Sequence, residues 1–215
     1  EENIFYFQPG MRYYNALFNI IFGERNFGYI LLVSFFPLLL FLLIKNFTNK
    51  KIAYFLFFSF IFFPIFESMG FGHFNYVRQA VRLHAESLSI MFIILSIYLI
   101  IKINDDKRRS NIYLIFTGLL ISQILFLRPN FLPTCLILSI FVLFTNIINK
   151  QFFYKNVLFI CSLIPSFLCL FHNYYFGNEL VLFSSTSRHL LFSKDFMEFN
   201  FTEANNFLHL LVASL

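Results

Sequence analysis

The chain has 215 residues, of which 59% are hydrophobic and only 13% are charged. A soluble domain of this size needs a polar surface that this composition does not provide, so a soluble enzyme, a disordered protein and a nucleic-acid-binding module are excluded. The formal net charge is +5, but the 16 lysine and arginine residues lie in short clusters between apolar runs, as they do in the loops of membrane proteins.

Six apolar runs approach the length of about 20 residues that a helix needs to cross a bilayer. They are residues 27–44, 52–66, 87–103, 111–127, 131–148 and 157–175. The runs show no alternation of period two, which favours helices over barrel strands. We therefore predict an all-α fold: a polytopic transmembrane helical bundle with about six spans, forming a single transmembrane domain over residues 1–215.

The segments outside the runs complete this domain. Residues 1–26 are predicted to form an outer loop with an interfacial helix, because the pattern over 12–22 is amphipathic but too short to span. The six spans occupy 27–175, and residues 176–215 are predicted to form an outer loop and the start of a further helix. The chain begins without methionine and ends in an apolar stretch, so we expect an internal piece of a longer protein.

Three alternate connectors are rich in lysine. Their basic residues are Lys45, Lys50 and Lys51 in the first, Lys102, Lys107, Arg108 and Arg109 in the second, and Lys150 and Lys155 in the third. Cytoplasmic loops carry an excess of basic residues, so these three connectors are predicted to be cytoplasmic. The connector 67–86 and the short turn 128–130 then face outward.

The outward side carries arginines that topology does not require. They include Arg12, Arg78, Arg82, Arg128 and Arg188. A guanidinium fork matches phosphate oxygens, so we predict an outer site for an anionic, phosphate-bearing ligand. Snorkelling and ion pairing at helix ends are the structural alternative. His189 follows Arg188 and a run of hydroxyl side chains, which suit sugar hydroxyls and an ordinary loop equally well.

The connector 67–86 is rich in polar groups and contains Arg78, Arg82 and Glu86 at intervals of four. This spacing predicts one stripe on a helix that continues from residue 75 straight into the next span. We predict that Glu86 points into the bundle and that Arg82 keeps it ionised, because ionisable groups at this depth are often functional. The alternative is a stripe that only neutralises itself at the membrane edge.

The sequence contains no nucleophile–base constellation, no glycine-rich phosphate loop and no helix-borne pair of metal ligands. Cys135, Cys161 and Cys169 lie in apolar runs, as small buried apolar residues do. No metal site is therefore predicted, and the residues alone identify no catalytic group.

Four segments, taken in order, resemble the GT-C superfamily of polytopic membrane glycosyltransferases, and in particular its bacterial mannosyltransferase/aminoarabinose-transferase type. They are YFQPGMRYY at 6–14 with FGE at 22–24, AESL at 85–88, LRP at 127–129, and NYYFGN at 173–178. The resemblance implies transfer of a sugar from a polyprenyl-phosphate donor to a lipid, glycan or protein acceptor. The protein would be a multi-pass protein of the bacterial cytoplasmic (inner) membrane, acting at its outer face, in contact with membrane lipid and not with nucleic acid.

The acidic motif of that family, which carries its general base, would precede Glu1, so the catalytic residues stay unassigned. In a transferase, Glu86 would position an acceptor hydroxyl or a divalent cation, the one cofactor left open. The first alternative is an O-antigen-polymerase-like protein of polysaccharide assembly. The second is a transporter or a non-catalytic membrane subunit; transporters usually carry polar residues at mid-membrane, and the spans here are nearly free of charge.

Overall fold

The computed structural model of the protein describes residues 9–23, 26–63, 72–105, 108–148, 152–177 and Leu182. The regular structure of these residues is entirely helical, which confirms the predicted all-α class for this part of the chain. The helices are α1 (Gly10–Phe22), α2 (Phe27–Ser34), α3 (Phe36–Ile44), α4 (Lys50–Phe62), α5 (His73–Val81), α6 (Ala85–Asp105), α7 (Ser110–Leu127), α8 (Leu132–Ile148), α9 (Phe152–Ser162) and α10 (Leu168–Gly177). Short 3-10 turns occupy Pro129–Phe131 and Ile164–Phe167.

Five helical segments are long and apolar enough to cross a membrane, which indicates a membrane protein. They are Phe27–Ile44, Ala85–Ile103, Ser110–Leu127, Pro129–Ile147 and Phe153–Phe176, and each coincides with a predicted run to within a few residues. The predicted run 52–66 is not among them. Its described part belongs to α4, whose 13 residues span about 20 Å, less than the roughly 30 Å of a bilayer core.

Prolines interrupt two of these segments. Pro37 has no N–H to donate to the carbonyl of Val33, and the segment breaks there into α2 and α3 at Phe35. Pro165 lies in the 3-10 turn that separates α9 from α10. Such breaks are tolerated inside a bundle because neighbouring helices and local 3-10 geometry satisfy the freed backbone groups.

The two ends of the bundle carry different basic residues. At the arginine end, α2 and α6 begin and α7 and α10 end. At the lysine end, α4, α7 and α9 begin and α3, α6 and α8 end. The arginine end holds Arg12, Arg82 and Arg128, and the lysine end holds Arg108 and Arg109 besides Lys45, Lys50, Lys102 and Lys155. This separation agrees with the predicted alternation of the connectors.

Helix α7 is the centre of the bundle: half of its span is buried, compared with 17% of the span that contains α8. Two glycines allow close approaches to it. A Cβ at Gly10 would lie 2.4 Å from the carbonyl oxygen of Phe126, so α1 can contact the α7 backbone only through glycine. A Cβ at Gly118 would lie 1.7 Å from Ser162 Oγ, where α9 packs against α7.

Helices α4 and α5 lie along α2 and α3 at different depths. The rings of Phe60 in α4 and Tyr76 in α5 pack against Phe36, with centroid distances of 5.5 and 4.2 Å. Phe36 lies near the middle of the span Phe27–Ile44. Helix α4 therefore runs from the lysine end to this level, and α5 runs from this level to the arginine end.

The predicted continuous helix from residue 75 into the third run is wrong. Helix α5 ends at Val81 and α6 begins at Ala85, with a turn over residues 82–84. Leu83 in this turn has a φ of 57°, in the left-handed region that a leucine rarely adopts. Arg78 and Arg82 therefore do not share a helical stripe with Glu86.

Candidate functional site at the arginine end

Glu86 and Arg128 form an ion pair between the first turn of α6 and the residue that follows α7. Arg128 ends α7 with an extended backbone, at φ −148° and ψ 105°, because Pro129 disfavours helical geometry in the residue before it. One guanidinium nitrogen, Nη2, donates to Glu86 Oε1. About a third of each side chain is exposed, so the pair lies at the edge of the bundle with access to its surroundings.

The second oxygen of Glu86 faces a histidine. His84 Nδ1 lies 3.9 Å from Glu86 Oε2, beyond hydrogen-bond distance. Glu86 Oε2 and Arg128 Nε are both buried atoms without a hydrogen-bond partner among the described residues. Buried polar groups normally have partners, so this cluster retains one acceptor and one donor position for a ligand or water.

Tyr29 supports this cluster from α2. Its side chain is fully buried, and its hydroxyl donates to the backbone carbonyl of His84 at 2.5 Å. The charges of Glu86 and Arg128 both act on this hydroxyl, which places it next to the ion pair. Ser87, also buried, donates to Gln79 Oε1 at 3.1 Å and links the start of α6 to α5.

A cleft of about 810 Å³ lies between α1, α7 and α10. Most of its wall is aromatic or aliphatic; the lining residues are Tyr13, Tyr14, Leu17, Gln123, Phe126, Leu168, Phe171, His172, Tyr174, Tyr175 and Phe176. Phe126, in the α7 wall of the cleft, precedes Arg128 by two residues. A largely apolar cleft with a few convergent polar groups is the usual form of a small-molecule or lipid site.

The polar groups of the cleft connect its three helices. The Tyr13 hydroxyl hydrogen-bonds to His172 Nδ1 at 2.8 Å, joining α1 to α10. The Tyr14 hydroxyl donates to Gln123 Oε1 at 3.0 Å, joining α1 to α7. Burial raises the pKa of the Tyr14 phenol to about 12, so this hydroxyl remains a donor at neutral pH. Arg12 adds a cation nearby, because its charge acts on the His172 ring.

The structure brings some of the sequence-predicted site residues together and not others. Arg128 and Glu86 are in direct contact, and Arg12 belongs to the helix that borders the cleft. Arg78 and Arg82 are exposed, and the predicted pairing of Arg82 with Glu86 is replaced by the pair with Arg128. Arg188 and His189 lie outside the described residues. The described part contains no group of three or more side chains that could hold a metal ion.

Sequence reasoning missed the roles of Tyr29, His84 and His172. Tyr29 is 55 residues from His84, and Tyr13 is 159 residues from His172. No spacing rule connects positions so far apart, and Tyr29 stands in an otherwise apolar run without a polar neighbour. No glycine or proline marks the break in the helix at Leu83. The turn is held instead by hydrogen bonds from the start of α2, which the local sequence does not show.

No protein-family profile, curated protein or solved structure matches this chain.

Proposed function

We propose that this chain is the core of a multi-pass membrane glycosyltransferase. It would transfer a sugar from a polyprenyl-phosphate donor to a lipid, glycan or protein acceptor at the outer face of the bacterial cytoplasmic membrane. The observation that carries the proposal is the Glu86–Arg128 pair, which keeps a buried donor and a buried acceptor unpartnered, with Arg128 two residues after the wall residue Phe126 of a large aromatic cleft. An amphiphile with an anionic head fits such a combination.

The donor phosphate would bind the free edge of Arg128. Glu86 holds only Nη2, so Nε remains available for a phosphate oxygen in a charge-assisted hydrogen bond. Arg12, on the helix that borders the cleft, contributes further positive potential, and the polyprenyl chain would lie along the aromatic wall. In the reaction an acceptor hydroxyl oxygen forms a bond to the anomeric carbon. The bond from that carbon to the phosphate oxygen breaks, and polyprenyl phosphate leaves.

Glu86 would bind the acceptor side through its second oxygen. Oε2 is the acceptor atom left open in the cluster, and it can accept a hydrogen bond from a sugar hydroxyl. The proton of the attacking hydroxyl would go to the acidic general base that the GT-C resemblance implies, which is not assigned among the residues of this chain. Glu86 is thus a binding and orienting residue in this proposal.

The topology that we propose has six crossings. The spans Phe27–Ile44 and Ala85–Ile103 both begin at the arginine end, so the chain has to return there between them. Helices α4 and α5 cover the two halves of this return. With the lysine end in the cytoplasm and α1 at the outer interface, the candidate site faces outward.

Cysteine labelling tests this orientation. We expect that a membrane-impermeant maleimide applied to intact cells labels Arg82→Cys but not Asn49→Cys, because Arg82 lies in the exposed turn at the arginine end and Asn49 precedes α4 at the lysine end. Labelling at position 49 would contradict the topology. Labelling at neither position would contradict the outward access of the site.

Donor binding tests the phosphate assignment directly. We expect full-length protein in nanodiscs to bind undecaprenyl phosphate, and Arg128→Ala to weaken that binding by tenfold or more. The reason is the loss of a charge-assisted hydrogen bond of about 1.5–3 kcal/mol. Lys50→Ala, at the lysine end, removes a cation of equal charge and should leave the affinity unchanged. An affinity for Arg128→Ala within about twofold of wild type would refute the assignment.

Transfer itself separates the proposal from its main rival. A glycosyltransferase should add single sugars from a polyprenyl-phosphate sugar to an acceptor. An O-antigen-polymerase-like protein would join lipid-linked oligosaccharide units and leave that donor unused. Product length by mass spectrometry distinguishes these outcomes.

A further inference from the structure

The turn between α5 and α6 adopts a backbone that its own sequence disfavours. Leu83 is the one non-glycine residue with a positive φ among those described, at 57°. In this region the Cβ of an L-residue crowds its own backbone, and such residues persist only where the surroundings fix them. The turn contains no glycine or asparagine to ease the geometry, so the fixing contacts come from elsewhere in the fold.

Two hydrogen bonds from the start of α2 fix the turn. The Tyr29 hydroxyl donates to the carbonyl of His84 at 2.5 Å, and Asn26 Nδ2 donates to the carbonyl of Val81 at 3.0 Å. They therefore bind the chain on both sides of Leu83. Tyr29 is fully buried, so its hydroxyl needs partners inside the protein, and the carbonyl of His84 accepts its proton.

The same turn sets the positions of His84 and Glu86. His84 is the last residue before α6, and Glu86 is the second residue of α6. A rotation of the turn would move Glu86 away from Arg128, which is held separately at the end of α7. The contacts of Tyr29 and Asn26 therefore reach the ion pair through the backbone.

We propose that Tyr29 and Asn26 are positioning residues, which hold the Leu83 turn so that Glu86 faces Arg128 and the acceptor. This inference rests on the proposed function for its kinetic consequence, and on the geometry of the turn for its structural one. Neither residue touches the donor or the acceptor. Their effect falls on the placement of Glu86, so it appears in turnover rather than in donor affinity.

The kinetic experiment compares Tyr29→Phe with Tyr76→Phe in the full-length protein. Tyr29→Phe removes only the hydroxyl that binds the turn, and we expect kcat to fall fivefold or more while KM for the polyprenyl-phosphate sugar changes by less than twofold. Tyr76→Phe removes a hydroxyl from the same core but not one that binds the turn, so both constants should stay unchanged. A kcat for Tyr29→Phe equal to wild type would overturn the proposal.

A second readout does not depend on activity. Trypsin cleaves after arginine, and Arg82 is an exposed residue of this turn. Cleavage requires local opening, so its rate reports how firmly the turn is held. In nanodiscs we expect cleavage between Arg82 and Leu83 to be about tenfold faster in Tyr29→Phe than in Tyr76→Phe, and Asn26→Ala to show a rise in the same direction.

The two readouts separate the inference from the function on which it rests. Faster cleavage together with lower kcat supports both. Equal cleavage rates in Tyr29→Phe and Tyr76→Phe would show that the Tyr29 hydroxyl does not hold the turn, whatever the kinetics are. If wild-type full-length protein transfers no sugar, the proposed function fails. Faster cleavage in Tyr29→Phe would still support the role of Tyr29 in holding the turn.

Discussion

Buried polar side chains are hydrogen-bonded more completely at the lysine end of the bundle than at the arginine end. At the lysine end the buried amides of Asn146 and Asn156 pair with each other at 2.9 Å, and Lys155 Nζ donates to the buried Ser110 hydroxyl at 2.7 Å. At the arginine end Glu86 and Arg128 pair, yet each keeps a buried atom without a partner.

This difference separates polar groups that are satisfied within the protein from polar groups that keep free hydrogen-bonding positions. The described part of the chain has five buried side-chain atoms without a partner, and none lies at the lysine end. Polar groups inside a membrane protein cost free energy unless they are hydrogen-bonded. The lysine end meets that cost within the protein, whereas the arginine end leaves bonding capacity open beside the cleft.

The largest effect is expected at the arginine end, when the charge of Glu86 is removed and the shape of its side chain is kept. Glu86→Gln keeps the size of the side chain and one acceptor oxygen, but it removes the charge and replaces the second oxygen by a donor NH2 group. We expect a normal yield of folded protein with turnover lowered tenfold or more, a rise in the barrier of about 1.4 kcal/mol. Sugar transfer per folded molecule, in full-length protein, is the measurement.

Two other results would assign Glu86 differently. A reduced folded yield with normal turnover in the molecules that fold would make the ion pair structural only. Unchanged yield and unchanged turnover would leave Glu86 as a solvated residue at the membrane edge, and the contrast between the two ends would lose its functional meaning.

The opposite response is expected at the lysine end. Asn156→Ala leaves the buried amide of Asn146 without its partner, which should cost about 1–3 kcal/mol of stability. The thermal unfolding midpoint should fall by several degrees, while donor binding and turnover per folded molecule stay unchanged.

A matched double variant sharpens that test. Asn146→Leu with Asn156→Leu replaces both partners by apolar groups of similar size, so no polar group stays unpaired and the loss of stability should be much smaller. A double variant less stable than Asn156→Ala would show that the pair contributes more than mutual satisfaction. A change in turnover in either variant would contradict the division of roles between the ends.

The sequence predicts the helices of this protein far better than it predicts the candidate site. Span positions depend on local composition, so five runs were found to within a few residues. The grouping of the lysines at one end also follows from local clusters. The partner of Glu86 does not: Arg82 is four residues away and was predicted, but Arg128, 42 residues away, makes the contact.

The reason for that error is the turn at Leu83. A spacing of four residues indicates contact only if the helix is continuous, and nothing between residues 78 and 86 signals a break. The break arises from tertiary contacts, since Tyr29 and Asn26 bind the chain on either side of it. A local sequence pattern cannot show a conformation that distant residues impose. For the same reason the contact of Tyr13 with His172 was not predicted.

The smallest expected effect comes from relieving the backbone strain at Leu83, whose φ is positive. Leu83→Ala and Leu83→Gly both remove the leucine side chain, which packs against the core around Tyr29, so the loss of packing is shared. Only glycine adopts a φ of 57° without steric cost. Alanine normally stabilises a folded chain relative to glycine, but here the order should be reversed, with Leu83→Gly more stable than Leu83→Ala by about 1 kcal/mol. This corresponds to roughly 2–4 °C in the unfolding midpoint for a chain of this size. If Leu83→Ala is the more stable variant, the backbone of Leu83 is not strained, and the hydrogen bonds from the start of α2 are not needed to hold the turn.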